Sequence, residues 1–269
     1  MQNFLSIEEK KISKDFETKG FVIRNIKDLS LLDSIRTQIL KPLKKSLNIS
    51  KKITDDELLN FSHRYIKKNE LNDLRLSIFN KMNLQKNFRE NYYNISKEFL
   101  DLLLGNEVSM QLRVNLSIQL PHDESSLLPL HSDVWSGDSP YEIVVWLPLV
   151  NCFSTKSMFI LPPNKYHKLK KLFNDKKINS TDKIFNKLRK DLIWIEIKYG
   201  QILLFNQCLP HGNVVNKTKE SRWSLNCRYK GVFTPYVDKR IGEFFEPITL
   251  KKVSEMALRY KLPKINEKS

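Results

Sequence analysis

Residues 110 to 120, MQLRVNLSIQL, alternate without a break: Met110, Leu112, Val114, Leu116, Ile118 and Leu120 against Gln111, Arg113, Asn115, Ser117 and Gln119. Successive side chains of a strand point to opposite faces, so this period-2 pattern predicts a strand with one apolar and one polar face. The apolar face must be covered by another layer, which leaves the polar face free to line a cavity. Shorter apolar runs follow at EIVVWLPLV (142–150), SMFILP (157–162), WIEIKYG (194–200), QILLF (201–205) and RWSLNCRY (222–229), separated by Pro, Gly or Asn. Several short strands punctuated by turn residues predict an antiparallel sandwich or jelly roll, an architecture that can hold a ligand in its mouth.

Ahead of Gly105 the period is that of a helix. Ser6-Ile7-Glu8-Glu9 and Thr54-Asp55-Asp56-Glu57 have the spacing of capping boxes, and Phe88, Tyr92, Ile95, Phe99, Leu102 and Leu103 recur every third or fourth residue until Gly105. One short strand, FVIRNI after Gly20, interrupts the helices. The expected fold is mainly β with a helical N-terminal extension. Residues 1–105 form a helical region packed on a β core of residues 106–269, as one structural domain. A lysine-rich helical insert is expected near 164–190, and a last helix from Thr249 to about Tyr260 is expected to pack back on the body. With 269 residues, 41% of them hydrophobic, the chain can bury a core of that size.

The formal charge of +16 invites a nucleic-acid partner, but its distribution argues against one. Lysine pairs such as Lys44–Lys45, Lys67–Lys68, Lys170–Lys171, Lys176–Lys177 and Lys251–Lys252 are scattered, and no aromatic pattern is interleaved with them. They read as solvated faces that also suit an anionic small substrate or glycan. The start of the chain shows no export signal and no stretch approaches the roughly 18 apolar residues of a membrane span. Three cysteines without a C-x-x-C pair oppose a disulfide framework, so a cytoplasmic location is expected.

The chemistry concentrates in few residues. Of five histidines, His131 stands two residues before Asp133, so in extended chain an imidazole and a carboxylate share a face. His211, in FNQCLPHGNVVN, supplies a third ligand just after the strand QILLF. Two histidines and one carboxylate form the facial triad of non-haem iron oxygenases, which leaves positions open for cosubstrate and O₂. Eleven residues further on, Arg222 opens a strand in which Arg222, Ser224, Asn226 and Arg228 share one face. A guanidinium fork there can clamp a distal carboxylate, as 2-oxoglutarate requires. His122-Asp123-Glu124 also matches H-x-E, but it lies in a polar loop beside Pro121 with no apolar strand behind it. His63 and His167 read as ordinary polar contacts, and Cys208 and Cys227 as small core residues.

Beyond the triad, the blocks GFVIRNI, NLSIQLPHDESSLLPLHSDVWSGDSP, VVWLPLV, TKSMFILPP, YGQILLFNQCLPHGN, RWSLNCRYKGVFTPY and GEFFEPITL span nearly the whole chain. In them the sequence resembles the phytanoyl-CoA dioxygenase-like Fe(II)/2-oxoglutarate dioxygenases, and more closely the sporadic carbohydrate cluster 2OG-Fe(II) oxygenase family. The resemblance implies a double-stranded β-helix of cupin-like type, with Fe(II) on His131, Asp133 and His211. It implies 2-oxoglutarate on Arg222 with Ser224 nearby, and O₂ as second cosubstrate. It further implies that Trp146 lines the cosubstrate pocket and that Asn115 or Asn213 touches the iron-binding end of 2-oxoglutarate. ILPPNKYH departs from the family pattern, so Asn164 and Lys165 inherit no role. The implied reaction hydroxylates or otherwise oxidises a sugar, nucleotide sugar or glycan of surface polysaccharide biosynthesis, and the presence of Asp133 favours hydroxylation over halogenation.

The polar strand face and the loop VWSGDSP add Arg113, Gln119, Trp135, Ser136, Asp138 and Arg228 as candidate substrate contacts. Two other readings compete. Arg222 and Arg228 form the R-x₅-R pair of AlkB-type nucleic-acid demethylases, but the N-x-Y-x-x-G block of those enzymes is missing. A non-catalytic jelly roll that binds glycan would have no need of a triad and a carboxylate clamp together.

Overall fold

The computed structural model describes residues 4–49, 52–178 and 180–261. Helix α1 (Ile7–Lys19) begins in a reciprocal capping box, where Glu9 N donates to the Ser6 hydroxyl and Ser6 N to the Glu9 carboxylate. It ends at Gly20, whose φ of 76° is left-handed and where a Cβ would overlap the Leu209 side chain, so the turn into β1 (Phe21–Asn25) requires glycine. Then follow α2 (Leu29–Ser46), α3 (Asp55–Asn60), α4 (Leu71–Asn83), α5 (Phe88–Asn94) and α6 (Lys97–Leu104). The single helical run expected over 88–103 is thus two helices. At the break the Ser96 hydroxyl donates to the Tyr92 and Tyr93 carbonyls, a local bond that competes with the helical ladder.

The strands after Gly105 are β2 (Val108–Gln111), β3 (Asn115–Gln119), β4 (Glu142–Pro148), β5 (Phe159–Ile160), β6 (Ile193–Trp194), β7 (Gln201–Asn206), β8 (His211–Gly212), β9 (Arg222–Gly231) and β10 (Phe245–Pro247). Seven of the strands form an antiparallel sheet in the order β1-β7-β4-β9-β2-β10, with β3 also paired to β9. The other three form a smaller antiparallel sheet, β6-β5-β8.

The uninterrupted strand expected over 110–120 is broken. Met110 pairs with Tyr229 and Asn115 with Asn226, so four residues of one strand stand against two of the other. The excess is absorbed as a bulge that exposes Arg113 and leaves Leu112 half-buried, where the alternation had placed Leu112 in the core.

One apolar cluster runs from the helices into the large sheet, from Ile35, Ile78 and Tyr92 to Val145, Leu204 and Trp223. The Tyr92 hydroxyl ties the layers by donating to Val145 O at 2.9 Å. A smaller cluster, including Leu130, Phe159, Leu169 and Ile184, fills the space under α7 (Tyr166–Phe173) and α8 (Thr181–Leu188), the insert anticipated from its lysines. The last helix, α9 (Lys252–Arg259), forms but does not pack back: Val253, Met256 and Leu258 are 78%, 63% and 62% exposed. Among the described residues no helix is long and apolar enough to cross a membrane.

Candidate functional site

His131 and His211 face each other as one antiparallel rung. His131 N donates to His211 O at 3.0 Å and His211 N to His131 O at 2.8 Å, which brings the ring centroids to 4.4 Å. Gly212 permits this approach, since a Cβ there would lie 2.7 Å from Leu128 O and 2.9 Å from Pro129 O. Only the first part of the H-x-D segment is extended. Ser132 has φ −125° and ψ 135°, and Asp133 opens a 3₁₀ turn, Asp133–Ser136. The turn is held by Asp133 N donating to Gln207 O and by the Ser132 hydroxyl donating to the carbonyls of Gln207 and Cys208.

The Nδ1 atoms of His131 and His211 lie 2.7 Å from Pro129 O and 2.8 Å from Leu209 O. A carbonyl only accepts, so in the neutral rings each Nδ1 carries the hydrogen and each Nε2 keeps its lone pair. The Nε2 atoms are 3.4 and 3.7 Å from Asp133 Oδ1, and one ligand atom from each residue falls within 4.8 Å of the others. This donor set fits Fe(II): two neutral imidazoles with fixed tautomers and one carboxylate oxygen.

The second oxygen of Asp133 is already engaged. Arg228 Nη2 donates to Asp133 Oδ2 at 2.7 Å, while its Nε donates to Gln207 Oε1 at 3.1 Å and lies 3.3 Å from Asp138 Oδ1. Gln207 is fixed in turn by donating to Glu142 Oε2 and Ser139 O, and Asp138 also pairs with Lys239. Burial alone would raise the Asp133 pKa, but the bond that His131 donates when protonated and the charge of Arg228 hold it well below the usual carboxylate range. Burial would likewise lower Arg228, and Asp133 and Asp138 outweigh it and raise that pKa. The histidines diverge. Burial pushes fully enclosed His211 down to about 4, whereas for the more open His131 the opposing hydrogen bonds to Asp133 and Pro129 O overcome burial and raise it.

A cavity between the two sheets is lined by the triad together with Val144, Trp146, Phe205 and Arg222. Arg222 is 3% exposed, yet among the described residues its one side-chain hydrogen bond is from Nη2 to Ser117 Oγ at 3.2 Å. Its Nε has no partner, and among the described residues no carboxylate lies within ion-pair distance. Burial lowers its pKa, the signature of a charge enclosed without its counter-ion.

The other sequence-predicted residues are distributed unevenly. Trp146 and Asn213 line this cavity, although Asn213 Oδ1 already accepts from Leu128 N at 2.7 Å. Ser224 sits fully buried on the same strand face with its hydroxyl unpartnered, outside the cavity lining. Asn115 donates to Asn226 Oδ1 and lines an adjoining hollow.

Of the substrate candidates, Arg228 reaches both hollows with its guanidinium committed to Asp133. The rest lie elsewhere. Gln119 is buried and donates to Val214 O, Asp138 is buried in its ion pairs, and Ser136 is exposed. Trp135 packs edge-on against Phe173 of the insert, and Arg113 lines a separate hollow with Phe79 and Glu243. Sequence reading missed Ser132 and Gln207, which hold the turn, and Ser117, whose place in the polar half of the alternation was its only signal.

The chain matches no family model and no curated protein. Solved structures do match. The nickel complex of the non-haem monooxygenase ThoJ aligns with 96% of this chain and 89% of its own at 15% identity and a TM-score of 0.57. HygX from Streptomyces hygroscopicus, with nickel and 2-oxoglutarate bound, aligns with 86% of this chain and 89% of its own at 16% identity and a TM-score of 0.50. EctD from S. alaskensis, with bound Fe, aligns with 88% of this chain and 81% of its own at 13% identity and a TM-score of 0.51. The chain shares their fold.

Proposed function

We propose that the protein is an Fe(II)/2-oxoglutarate-dependent oxygenase built on a double-stranded β-helix of the jelly-roll type, with the helical region and the β core forming one domain. The observation that carries this reading is Arg222, a buried guanidinium that has no carboxylate partner among the described residues and lines the same cavity as the two histidines and Asp133. His131 and His211 offer Nε2, Asp133 offers Oδ1, and Arg228 keeps Asp133 ionised and oriented by holding Oδ2. Arg222 binds the distal carboxylate of 2-oxoglutarate, while Trp146 and Val144 supply an apolar wall that excludes water. Iron bound at this site supplies O₂ activation coupled to conversion of 2-oxoglutarate to succinate and CO₂. The protein then has to aim one substrate C–H bond at the metal.

The substrate in this reading is a sugar, nucleotide sugar or glycan, oxidised in a cytoplasmic step of polysaccharide assembly. The hollow beside the triad supports a hydroxyl-rich molecule, since Asn72, Asn115, Ser126 and Asn226 line it. The test is anaerobic titration of Fe(II) and 2-oxoglutarate into the protein, followed by the visible metal-to-ligand charge-transfer band. Mass spectrometry of products from a panel of sugars and nucleotide sugars completes it. A band in the wild type that is lost in His211→Ala is the expected result. No band, with no release of succinate, would overturn the assignment.

A further inference from the structure

Helix α4 turns a stripe inward at the helical spacing 71, 75, 78, 82, and that stripe reads Leu71, Arg75, Ile78, Met82. Leu71, Ile78 and Met82 are 2%, 0% and 0% exposed, so an arginine occupies a position whose neighbours on the stripe are core. Arg75 is half-buried, and among the described residues it has no carboxylate within ion-pair distance. Its hydrogen bond runs from Nη2 to Asn72 Oδ1 at 2.8 Å, which leaves the Asn72 amide nitrogen as a donor. Both side chains line a hollow of about 470 Å³, and this hollow shares Ser117, Leu128, His131, Asn226 and Arg228 with the triad cavity. Among the described residues no Asp or Glu lines the hollow, and the guanidinium of Arg228 is taken by Asp133.

We infer that Arg75, with Asn72 beside it, is the receptor for an anionic group, a carboxylate or a phosphate, on the prime substrate. The inference rests on the Fe(II)/2-oxoglutarate reading, because that chemistry makes the hollow next to His131 the substrate side of the cavity. Its charge is spatially separate from Arg222, so the two arginines divide the anions: Arg222 takes the cosubstrate and Arg75 the substrate. Asn115 and Asn226 stand across the same hollow, where their amides meet the hydroxyl groups of a molecule held at one end by its charge. Such a substrate is a polyhydroxylated acid or phosphate ester rather than a neutral sugar. The basic field of the whole chain assists its approach.

The experiment uses anaerobic protein loaded with Fe(II) and saturating 2-oxoglutarate. Binding of glucuronate, glucose 6-phosphate, inorganic phosphate and neutral glucose is read by ligand-observed NMR for wild type, Arg75→Ala, Arg75→Lys and Arg113→Ala. At least one acidic probe binds the wild type more tightly than glucose, and the arm that responds separates carboxylate from phosphate. Losing a charge-assisted contact weakens that binding about 10- to 100-fold in Arg75→Ala. Arg75→Lys recovers part of it, and Arg113→Ala leaves it unchanged. Equal binding by wild type and Arg75→Ala, or no acidic probe bound at millimolar concentration, overturns the inference. The charge-transfer band of the same samples keeps the two failures apart. A band with unchanged binding refutes the role of Arg75 alone, whereas no band in the wild type refutes the iron reading beneath it.

Discussion

Replacing Arg222 by methionine is expected to stabilise the apo protein, or leave it unchanged, and to remove most of the stabilisation that 2-oxoglutarate brings. In the apo protein the guanidinium is 3% exposed and, among the described residues, holds one side-chain hydrogen bond, to Ser117, and has no counter-ion. Its desolvation costs several kcal/mol, and exchanging buried ion pairs for apolar side chains of similar volume is neutral or returns about 1–4 kcal/mol, the latter range being the scale taken for this charge. Subtracting about 1 kcal/mol for the lost Ser117 contact leaves a gain of about 0–3 kcal/mol, or a rise in Tm of up to roughly 10 °C for a chain of this size. With cosubstrate present the wild type regains about 2–3 kcal/mol on the variant, which offsets or reverses the apo difference. Removing one side of a desolvated carboxylate–guanidinium pair costs about 2–5 kcal/mol, which weakens 2-oxoglutarate about 30-fold to several thousand-fold. Wild type held at a hundred times its Kd gains about 2.7 kcal/mol from the ligand, whereas the variant at the same concentration gains about 0.9 kcal/mol at most. Thermal denaturation of both proteins, with and without 2-oxoglutarate under anaerobic Fe(II), reads the apo difference and the lost ligand-induced shift separately. A variant that melts below wild type when apo and keeps the full ligand-induced shift would refute the reasoning, because Arg222 would then be a structural cation satisfied by the fold.

The remaining expectations concern the metal centre. His131→Ala and His211→Ala each lose Fe(II) binding measured by metal analysis of anaerobic protein, and wild-type occupancy in both would remove the triad. Arg228→Met frees Asp133 Oδ2 and is expected to weaken Fe(II) about 10- to 100-fold while leaving Arg222 and its anion site intact; unchanged metal affinity would show that Asp133 needs no support. The third expectation is acid lability of the apo protein. The folded pKa of His211, about 4, lies below its ordinary 6.5, so between those values the unfolded chain takes a proton that the folded one refuses. Stability therefore falls as pH drops through that window, by an order of magnitude of 3 kcal/mol from His211, with His131, shifted upward, offsetting part of it. Denaturant titrations between pH 7 and pH 4 check this, and His211→Asn is expected to flatten the slope. A slope unchanged in that variant would place the acid-sensitive group elsewhere.

How much of this was legible depended on whether a local period survived into the tertiary structure. The meeting of His131, Asp133, His211 and Arg222 around one cavity was legible because His131, His211 and Arg222 lie on extended chain, with Asp133 in the turn directly after His131, in an order that short motifs preserve. The helical insert was legible from composition, and its helices α7 and α8 fall within the expected span. Arg113 was assigned on the same footing and lies outside the site, because the assignment assumed that an alternation unbroken in sequence stays unbroken in register. Two extra residues opposite β9 turn Arg113 out to solvent, and nothing between Met110 and Asn115 marks the bulge. Trp135 misled for a related reason. Its partner Phe173 is 38 positions away in an insert whose docking no local pattern encodes.

Arg75 is the converse. Its signal was present, a cation on the apolar stripe of a short helix, but such a residue reads as a helix-face charge until the helix is seen to close one side of the hollow next to His131. Placing it there required the contact between α4 and β3, which depends on the same β3–β9 pairing that follows the bulge. The bulge that removes one arginine from the sheet face therefore belongs to the register that sets β3 against the helix carrying the other. A deletion of two residues within 112–114 that restored a continuous strand would be expected to shift β3 against α4, weaken anion binding at Arg75 and leave the His131–His211 rung in place.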